Sequence, residues 1–292
     1  MYGLIIVNQT LGHNSYKIKR FQEEFPKLGI TFDVFVNNGT LCEIKDGNII
    51  INLPKADFVI YLDKDYYLAT MLEKCGYRLF NSSNFLRMCD DKNITLIECA
   101  NHGIKSVDTI PSPLIYSNSL KSENYLFLDK VIERFGLPLV MKKVYGSLGE
   151  GVYLAHSKQE LYDLYGECFR YPLLFEKYLE TSKGKSLRVL VVDEKVIGII
   201  ERNGNDDFRS NYGANTYSKN IKNPTIYIDF AQKIANLLHI EYAGIDLLYG
   251  DNNEPVLCEI NSNAFFEEFE KTTSINVAKM FGEMISRKCG KQ

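Results

Sequence analysis

The sequence lacks an excess of positive charge, and it lacks any long apolar run. Its 292 residues carry a formal net charge of -3, whereas a nucleic-acid-binding chain usually shows a strong basic bias. No apolar run approaches the roughly 20 residues that a membrane span requires. The N-terminus also lacks the basic segment and cleavage site of a signal peptide. The sequence therefore predicts that neither a nucleic acid nor a membrane is a partner of this chain.

Patterned cysteines and an early glycine-rich turn are missing as well. The 7 cysteines are scattered, and none forms a C-x-x-C pair. Such a set predicts reduced thiols and a cytoplasmic location, and neither a disulfide framework nor a zinc site. The first strand pattern, residues 4–7, is followed by a segment with one glycine, Gly12. This absence argues against a dinucleotide-binding oxidoreductase.

The sequence does contain alternating strand and helix patterns. The length allows about two domains, since a domain has roughly 100–200 residues. In residues 1–81, strand patterns alternate with helix patterns, which predicts an N-terminal α/β domain. From about residue 90 onward, hairpin patterns are flanked by helix patterns. This second part, residues 82–292, is therefore predicted to be α+β.

Two short buried strand patterns near the C-terminus carry the most informative polar residues. They are separated by an Asp/Asn-rich turn signal. If the hairpin is centred on residues 252–253, Asp246 lies opposite Glu259, and Asn261 shares the face of Glu259 because strand side chains alternate. Two carboxylates and an amide oxygen suit Mg²⁺, with phosphates completing its shell. The alternative is a solvated strand face with ordinary acidic residues.

Residues 146–151 form a glycine-rich loop between two predicted strands. Walker A and dinucleotide loops run instead from a strand into a helix. Gly149 and Gly151 permit backbone conformations that are closed to other residues, and a flexible hairpin tip can donate N–H groups to phosphates. Lys142 at the end of the preceding strand would meet a phosphate as a point charge if it points inward. The alternatives are a plain hairpin turn and a solvated lysine.

Two further segments have chemistry that suits a nucleotide. Residues 174–179 form an apolar strand pattern ending in a polar break, and backbone groups at such a strand end can bind an adenine edge. Arg209 lies in a loop rich in Gly, Asn and Asp. Arginine is suited to bidentate oxyanion binding and stabilises charge that develops in phosphoryl transfer. The alternatives are an ordinary edge strand and a surface loop with a solvated arginine.

The order of these segments along the chain is more specific than any one of them. The segments are D-K at residues 91–92, K-x-x-x-G-S-x-G-x-G-V at residues 142–152, F-R-S-N at residues 208–211, G-I-D at residues 244–246 and E-I-N at residues 259–261. In this order they resemble the ATP-grasp superfamily, and within it the RimK-like carboxylate–amine ligases. The resemblance covers roughly residues 80–288.

The resemblance implies an ATP-grasp fold, in which two α+β subdomains clasp ATP and a lid spans about residues 120–178. Residues 1–81 would then be the preceding α/β domain that shapes the substrate site. The implied cofactors are ATP and Mg²⁺, with Mn²⁺ as a substitute. The implied partners are a small-molecule or peptide carboxylate and an amine, and homo-oligomerisation is left open. The carboxylate would attack the γ-phosphate, and the amine would then displace phosphate from the acylphosphate.

The resemblance also assigns roles to individual residues. Lys142 and Arg209 would be catalytic. The implied nucleotide-binding residues are Lys92, Lys142, Gly146, Ser147, Gly149, Gly151, Glu176, Lys177, Tyr178, Leu179, Ser186, Arg209, Ser210 and Asn211. The implied metal ligands are Asp246, Glu259 and Asn261.

The sequence departs from the family pattern at three places. Ser186 replaces an aspartate that would bind ribose, residues 212–215 replace a basic His-Arg-Gly-Gly run, and residues 262–265 replace a Ser-Pro-Gly segment. The last two changes fall where a substrate would lie, so the family's glutamate preference transfers poorly. The competing interpretation is a non-catalytic ATP-binding protein with the same architecture. Retention of Lys142, Arg209 and the metal residues favours the enzyme.

Overall fold

The computed structural model describes residues 1–10, 15–204, 207–210, 216–221 and 224–290. Three sheets and one separate hairpin are present in this part of the chain. None of its helices is long and apolar enough to cross a membrane.

The N-terminal part is built on a parallel sheet with strand order β2-β1-β5-β6. Its elements are β1 (Tyr2–Val7), α1 (Tyr16–Glu24), β2 (Thr31–Val36), β3 (Cys42–Lys45), β4 (Asn48–Ile51), β5 (Phe58–Leu62), α2 (Tyr66–Lys74) and β6 (Leu79–Phe80). Strand β5 is buried along its whole length, as expected for a parallel strand covered on both faces. Strands β3 and β4 form a hairpin, whose turn has positive φ at Asp46 and Gly47.

The middle of the chain forms an antiparallel sheet with order β7-β10-β8-β9, here called the lid sheet. The elements are α3 (Ser83–Asp90), α4 (Lys92–Cys99), β7 (Thr109–Pro111), α5 (Ser122–Phe135), β8 (Leu139–Lys143), β9 (Val152–Ala155), α6 (Lys158–Cys168) and β10 (Leu173–Lys177). Helices α5 and α6 pack on this sheet through a core of their own. Helix α6 begins after Ser157, whose hydroxyl accepts a hydrogen bond from the Glu160 N–H.

The C-terminal part forms a five-stranded antiparallel sheet, here called the central sheet, with order β13-β12-β11-β14-β15. The elements are β11 (Lys185–Val192), β12 (Lys195–Gly204), β13 (Thr216–Asn220), α7 (Thr225–Leu237), β14 (Tyr242–Tyr249), β15 (Pro255–Asn261), α8 (Glu267–Thr273) and α9 (Val277–Cys289). The predictions did not include β13 and α8. Both are short and mostly polar, and so they lack the apolar periodicity on which sequence patterns depend.

One hydrophobic core joins the N-terminal sheet to the central sheet. Phe21 of α1 packs against Phe25, which follows that helix, against Phe266 and against Phe281 of α9. The same core includes strand residues of β1, β5, β11 and β12. The N-terminal part is therefore packed directly against one face of the central sheet and against the segment that follows β15.

Candidate active site

A cleft of about 870 Å³ of empty volume lies between the lid sheet and the central sheet. Six aliphatic side chains of the described residues line it, namely Val107, Val140, Leu148, Val152, Leu179 and Leu248. Six cationic side chains of the described residues also line it, namely Lys92, Lys142, Lys177, Lys185, Arg202 and Arg209. Apolar walls with several cations fit a ligand that has a flat apolar ring and a polyanionic tail, as a nucleoside triphosphate has.

Most of the predicted site residues meet in this cleft. Those that line it are Lys92, Lys142, Gly146, Ser147, Gly149, Glu176, Lys177, Tyr178, Leu179, Ser186, Arg209, Ser210, Asp246 and Glu259. Gly151 lies beside the lining residue Val152, at the base of the loop. Asn261 lines an adjoining chamber. Asn211 lies outside the described residues.

The hairpin of β14 and β15 places Asp246 opposite Glu259 as predicted, although the strand pairs nearer the turn are centred on residue 252. The ladder contains a β-bulge next to this pair, because Leu247 pairs with Leu257 and Cys258 is the extra residue. The Asn261 amide Nδ2 donates to Asp246 Oδ2 at 3.2 Å and to Glu259 Oε1 at 3.1 Å. Two carboxylates and one amide therefore converge on a single patch.

Two arginines that the sequence analysis did not assign to the site hold Asp246. Arg188 donates Nη2 to Asp246 Oδ2 at 2.9 Å, and Arg202 Nη2 lies 2.9 Å from the same oxygen. Burial alone would raise the pKa of Asp246, but the two guanidiniums outweigh it and lower that pKa to about 2. Strand alternation could have identified Arg188, because it lies two residues after Ser186 on β11 and pairs with Asp246 across the ladder.

The donor set fits a hard cation under one condition. Asp246 uses both carboxylate oxygens on arginines, whereas Glu259 has only the Asn261 amide as a hydrogen-bond partner among the described residues. An amide turned over would present its oxygen, in place of Nδ2, to the same point between the carboxylates. Oxygen ligands of this kind suit Mg²⁺. Glu259 is therefore the carboxylate best placed to hold it.

Lys142 points into the cleft, and its charge is balanced by Glu176. Its Nζ lies 2.6 Å from Glu176 Oε2 and donates to Cys258 Sγ at 3.7 Å, and Lys142 is 7% exposed. Burial acts to lower the pKa of Lys142, but attraction to the ionised forms of Cys258 and Glu176 outweighs it and raises that pKa. Because burial raises the pKa of Cys258 to about 12, its thiol is neutral near pH 7. Glu176 is therefore the group that keeps Lys142 charged.

Lys92 holds the base of the glycine-rich loop through hydrogen bonds to its backbone. Its Nζ donates to the carbonyls of Val144 at 3.1 Å and Gly146 at 3.0 Å. Burial lowers the pKa of Lys92, opposed by attraction to Glu259. Lys92 is the first residue of helix α4, and the carboxylate of the preceding residue, Asp91, caps the first turn. Lys92 thus presents a cation at the base of the loop, within reach of both walls of the cleft.

Arg209 links the loop to the central sheet. Its guanidinium makes a two-bond contact with Asp207, at 2.8 Å from Nε and 2.8 Å from Nη2, and donates Nη1 to the Gly149 carbonyl at 2.7 Å. The segment that carries it is fixed by Gly184, whose N–H donates to the Phe208 carbonyl. Gly184 has φ 65°, and a Cβ there would lie 2.5 Å from the Gly204 carbonyl oxygen, so only glycine fits.

Ser186 and Ser210 form a buried polar contact behind Arg209. Their hydroxyl oxygens are 2.5 Å apart, and Arg202 donates Nη2 to the Ser186 hydroxyl at 3.1 Å. The two serines thus connect β11 to the arginine loop. Ser186 lines the cleft in place of the acidic residue expected from the family pattern.

A second chamber with an empty volume of about 2180 Å³ adjoins the cleft. The two share a wall, which consists of Ser147, Leu148, Glu150, Arg202, Ser210 and Glu259. The N-terminal part contributes Asn8, Thr10, Lys17, Leu62 and Lys64 to the second chamber. A ligand in the cleft and one in the second chamber can therefore meet at the shared wall.

Comparison with known proteins assigns the chain to a family. Residues 97–285 match the profile of the RimK-like ATP-grasp domain. The chain is 29% identical over 279 residues to human beta-citrylglutamate synthase B, covering 91% of this chain and 70% of that protein. It is 30% identical over 239 residues to human N-acetylaspartylglutamate synthase A, covering 80% of this chain and 58% of that protein.

The fold is also similar to that of a solved structure, a RimK domain ATP-grasp protein from Sphaerobacter thermophilus. The TM-score is 0.74 at 14% identity, and the match covers 97% of this chain and 99% of the other. This likeness confirms the predicted ATP-grasp fold. The family match favours the ligase over the non-catalytic ATP-binding protein.

Proposed function

We propose that this chain forms an amide through an acylphosphate and releases ADP and phosphate. The proposal starts from the family: the chain belongs to the RimK-like ATP-grasp family and is an ATP-dependent carboxylate–amine ligase. The observation that carries this proposal is the wall shared by the cleft and the second chamber. A γ-phosphate in the cleft and a carboxylate in the second chamber would meet at that wall, which suits direct transfer of the phosphoryl group.

The residues of the cleft have separate roles in this reaction. Lys142 and Lys92 would neutralise phosphate charge, and the backbone of residues 177–179 would hold the adenine. Arg209 would stabilise the transferring phosphoryl group from the loop side. Glu259, Asp246 and Asn261 would hold Mg²⁺, which supplies further charge neutralisation when bound. No covalent enzyme intermediate is needed, because the substrate carboxylate is itself the nucleophile.

The names of the two human relatives support an amino acid as one substrate. Both are synthases of compounds that end in glutamate, so we propose that the amine substrate is an α-amino acid such as glutamate. The reduced cysteines and the need for ATP support a cytoplasmic location.

The proposal is tested with hydroxylamine in place of the amine. Purified protein with Mg-ATP is screened against a panel of carboxylates, and ADP, phosphate and hydroxamate are measured. We expect all three products to appear together, only with the correct carboxylate, and to be lost in Glu259→Ala. AMP and pyrophosphate among the products would show an adenylate intermediate and contradict the mechanism.

A further inference from the structure

The second chamber contains a buried lysine that the reaction described above does not use. Lys17, on helix α1, lines the chamber and is 3% exposed. Its Nζ donates to the Asn263 carbonyl at 3.1 Å and to Asn263 Oδ1 at 3.4 Å. An ammonium has three N–H donors, so one donor remains for a further acceptor. Sequence motifs gave no indication of this residue.

The other charged residues that line the chamber are largely matched with one another or with neutral groups. Lys64 pairs with Asp90, and Arg188 and Arg202 share Asp246. The Glu268 carboxylate accepts a hydrogen bond from the Ser218 hydroxyl. Among the described cations of the chamber, Lys17 is the one without a carboxylate partner. Because burying an unpaired charge is costly, this arrangement favours an anion that arrives with a ligand.

The neighbours of Lys17 hold it in place without neutralising it. The Nζ lies 5.3 Å from the ring centre of Tyr242, 5.6 Å from that of Phe265 and 5.9 Å from that of Phe266. Such contacts stabilise a cation electrostatically through the ring faces. Burial, with repulsion from Arg188, lowers the pKa of Lys17 to about 7. A bound anion would reverse this effect and keep the ammonium charged.

The position of Lys17 distinguishes two parts of an acid substrate. The reacting carboxylate must reach the shared wall beside Glu259 and Ser147, where a γ-phosphate would lie. Lys17 lines only the second chamber and does not border the cleft. It is therefore placed to contact a group of the substrate away from the bond that forms.

We propose that Lys17 is a specificity-determining residue that binds a second, non-reacting carboxylate, so that the enzyme selects acids with two negative charges. This inference rests on the proposed function for the identity of the chamber as the acid site. The segment of residues 262–265, which departs from the family pattern, supplies the two Asn263 acceptors and one of the three rings around the ammonium. The departure and the buried lysine are thus parts of one site.

The test compares dicarboxylates with their monoamides, which have similar shape and one charge fewer. Binding of the diacids succinate and glutarate, and of their monoamides succinamate and glutaramate, is measured by calorimetry with Mg-ADP present. For wild type we expect at least one diacid to bind about tenfold or more tightly than its monoamide, since a charge-assisted contact is lost in the amide. Lys17→Met should bring the two affinities close together. Lys19→Met, on the exposed face of the same helix, should leave the preference unchanged.

Lys17→Gln provides a second variant, which is neutral but keeps a donor toward Asn263. A preference retained in folded Lys17→Met or Lys17→Gln would overturn the inference, as would equal or absent binding of diacids and monoamides by wild type. The titrations need no turnover, so the two proposals can fail separately. Lys17-dependent binding without hydroxamate formation contradicts the proposed function alone. Hydroxamate formation with an acid preference that does not depend on Lys17 contradicts this inference alone.

Discussion

At the scale of single residues, the two carboxylates of the metal hairpin are not equivalent. Asp246 is 2% exposed and is held by two arginines, whereas Glu259 is only partly buried and contacts the Asn261 amide. A carboxylate that neutralises buried cations contributes to folding as well as to metal binding. Substitution of either residue should therefore abolish activity, whereas the loss of folding stability should be larger for Asp246 than for Glu259.

We expect Asp246→Ala to lower the free energy of unfolding by about 3–5 kcal/mol, because it leaves two buried guanidiniums without their partner. Glu259→Ala should cost about 1 kcal/mol or less, as at other partly exposed positions. Both variants should lose ligase turnover. Urea unfolding followed by circular dichroism measures the difference, and equal stability losses would contradict the role assigned to Asp246.

The buried ammonium of Lys17 should make stability depend on pH. Its pKa falls from 10.5 to about 7 on folding, through burial and repulsion from Arg188. Between these values the unfolded chain binds more protons, so the free energy of unfolding of wild type should rise with pH. Lys17→Met lacks this contribution, so its stability advantage over wild type should be largest near pH 6 and shrink by pH 9.5. Melting temperatures at these pH values check the trend, and a constant difference would contradict it.

The sequence predicted contacts between residues of one hairpin better than contacts between residues of separate elements. The register of Asp246 and Glu259 followed from a turn signal and strand alternation. The Glu176 partner of Lys142 and the Asn263 partner of Lys17 did not, because they pair residues on different elements. A strand pattern gives the face of a side chain, but only the packing of sheets gives its partner.

At the scale of elements, the glycine-rich loop depends on the backbone at its base. Gly151 has φ 71°, and a Cβ there would lie 3.0 Å from the Lys143 side chain. The Gly151 carbonyl also accepts the Lys143 N–H at 2.8 Å, which closes the hairpin. Strain at this position would reach the loop directly, since the loop is attached here and at Arg209.

Gly151→Ala should therefore cost about 1–3 kcal/mol in backbone strain and raise the KM for ATP. Gly166→Ala is the matched control, because Gly166 lies in helix α6 with open space around it and should be neutral or stabilising by up to about 1 kcal/mol. Unfolding midpoints and ATP kinetics of the two variants provide the comparison. Similar behaviour of both variants would show that the φ of Gly151 is not limiting.

At the scale of the whole molecule, the N-terminal part and the central sheet share one core. The four phenylalanines that connect α1 to α9 and to the segment after β15 are buried, as are the strand residues beneath them. The boundary predicted near residue 81 remains a prediction, because a continuous core gives no physical gap at that point. The core also fixes helix α1, and with it Lys17, against the second chamber.

We expect Phe21→Ala to lower the free energy of unfolding by about 3–5 kcal/mol and to weaken acid binding at the same time. The stability loss should appear as one shifted transition, since the ring contacts Phe25, Phe266 and Phe281 from both parts. Calorimetry alongside hydrogen exchange in α1 and α9 tests this. A separate early transition confined to residues 1–81 would show that the two parts unfold independently.

The wall shared by the cleft and the second chamber has a consequence for inhibitors. Six residues border both spaces, so a single compound could occupy the two without crossing bulk solvent. A nucleotide analogue tethered to a dicarboxylate would convert the second binding event into an intramolecular one. With a linker that matches the distance across the wall, its effective concentration would be in the millimolar range. Such a bisubstrate compound should bind far more tightly than either half.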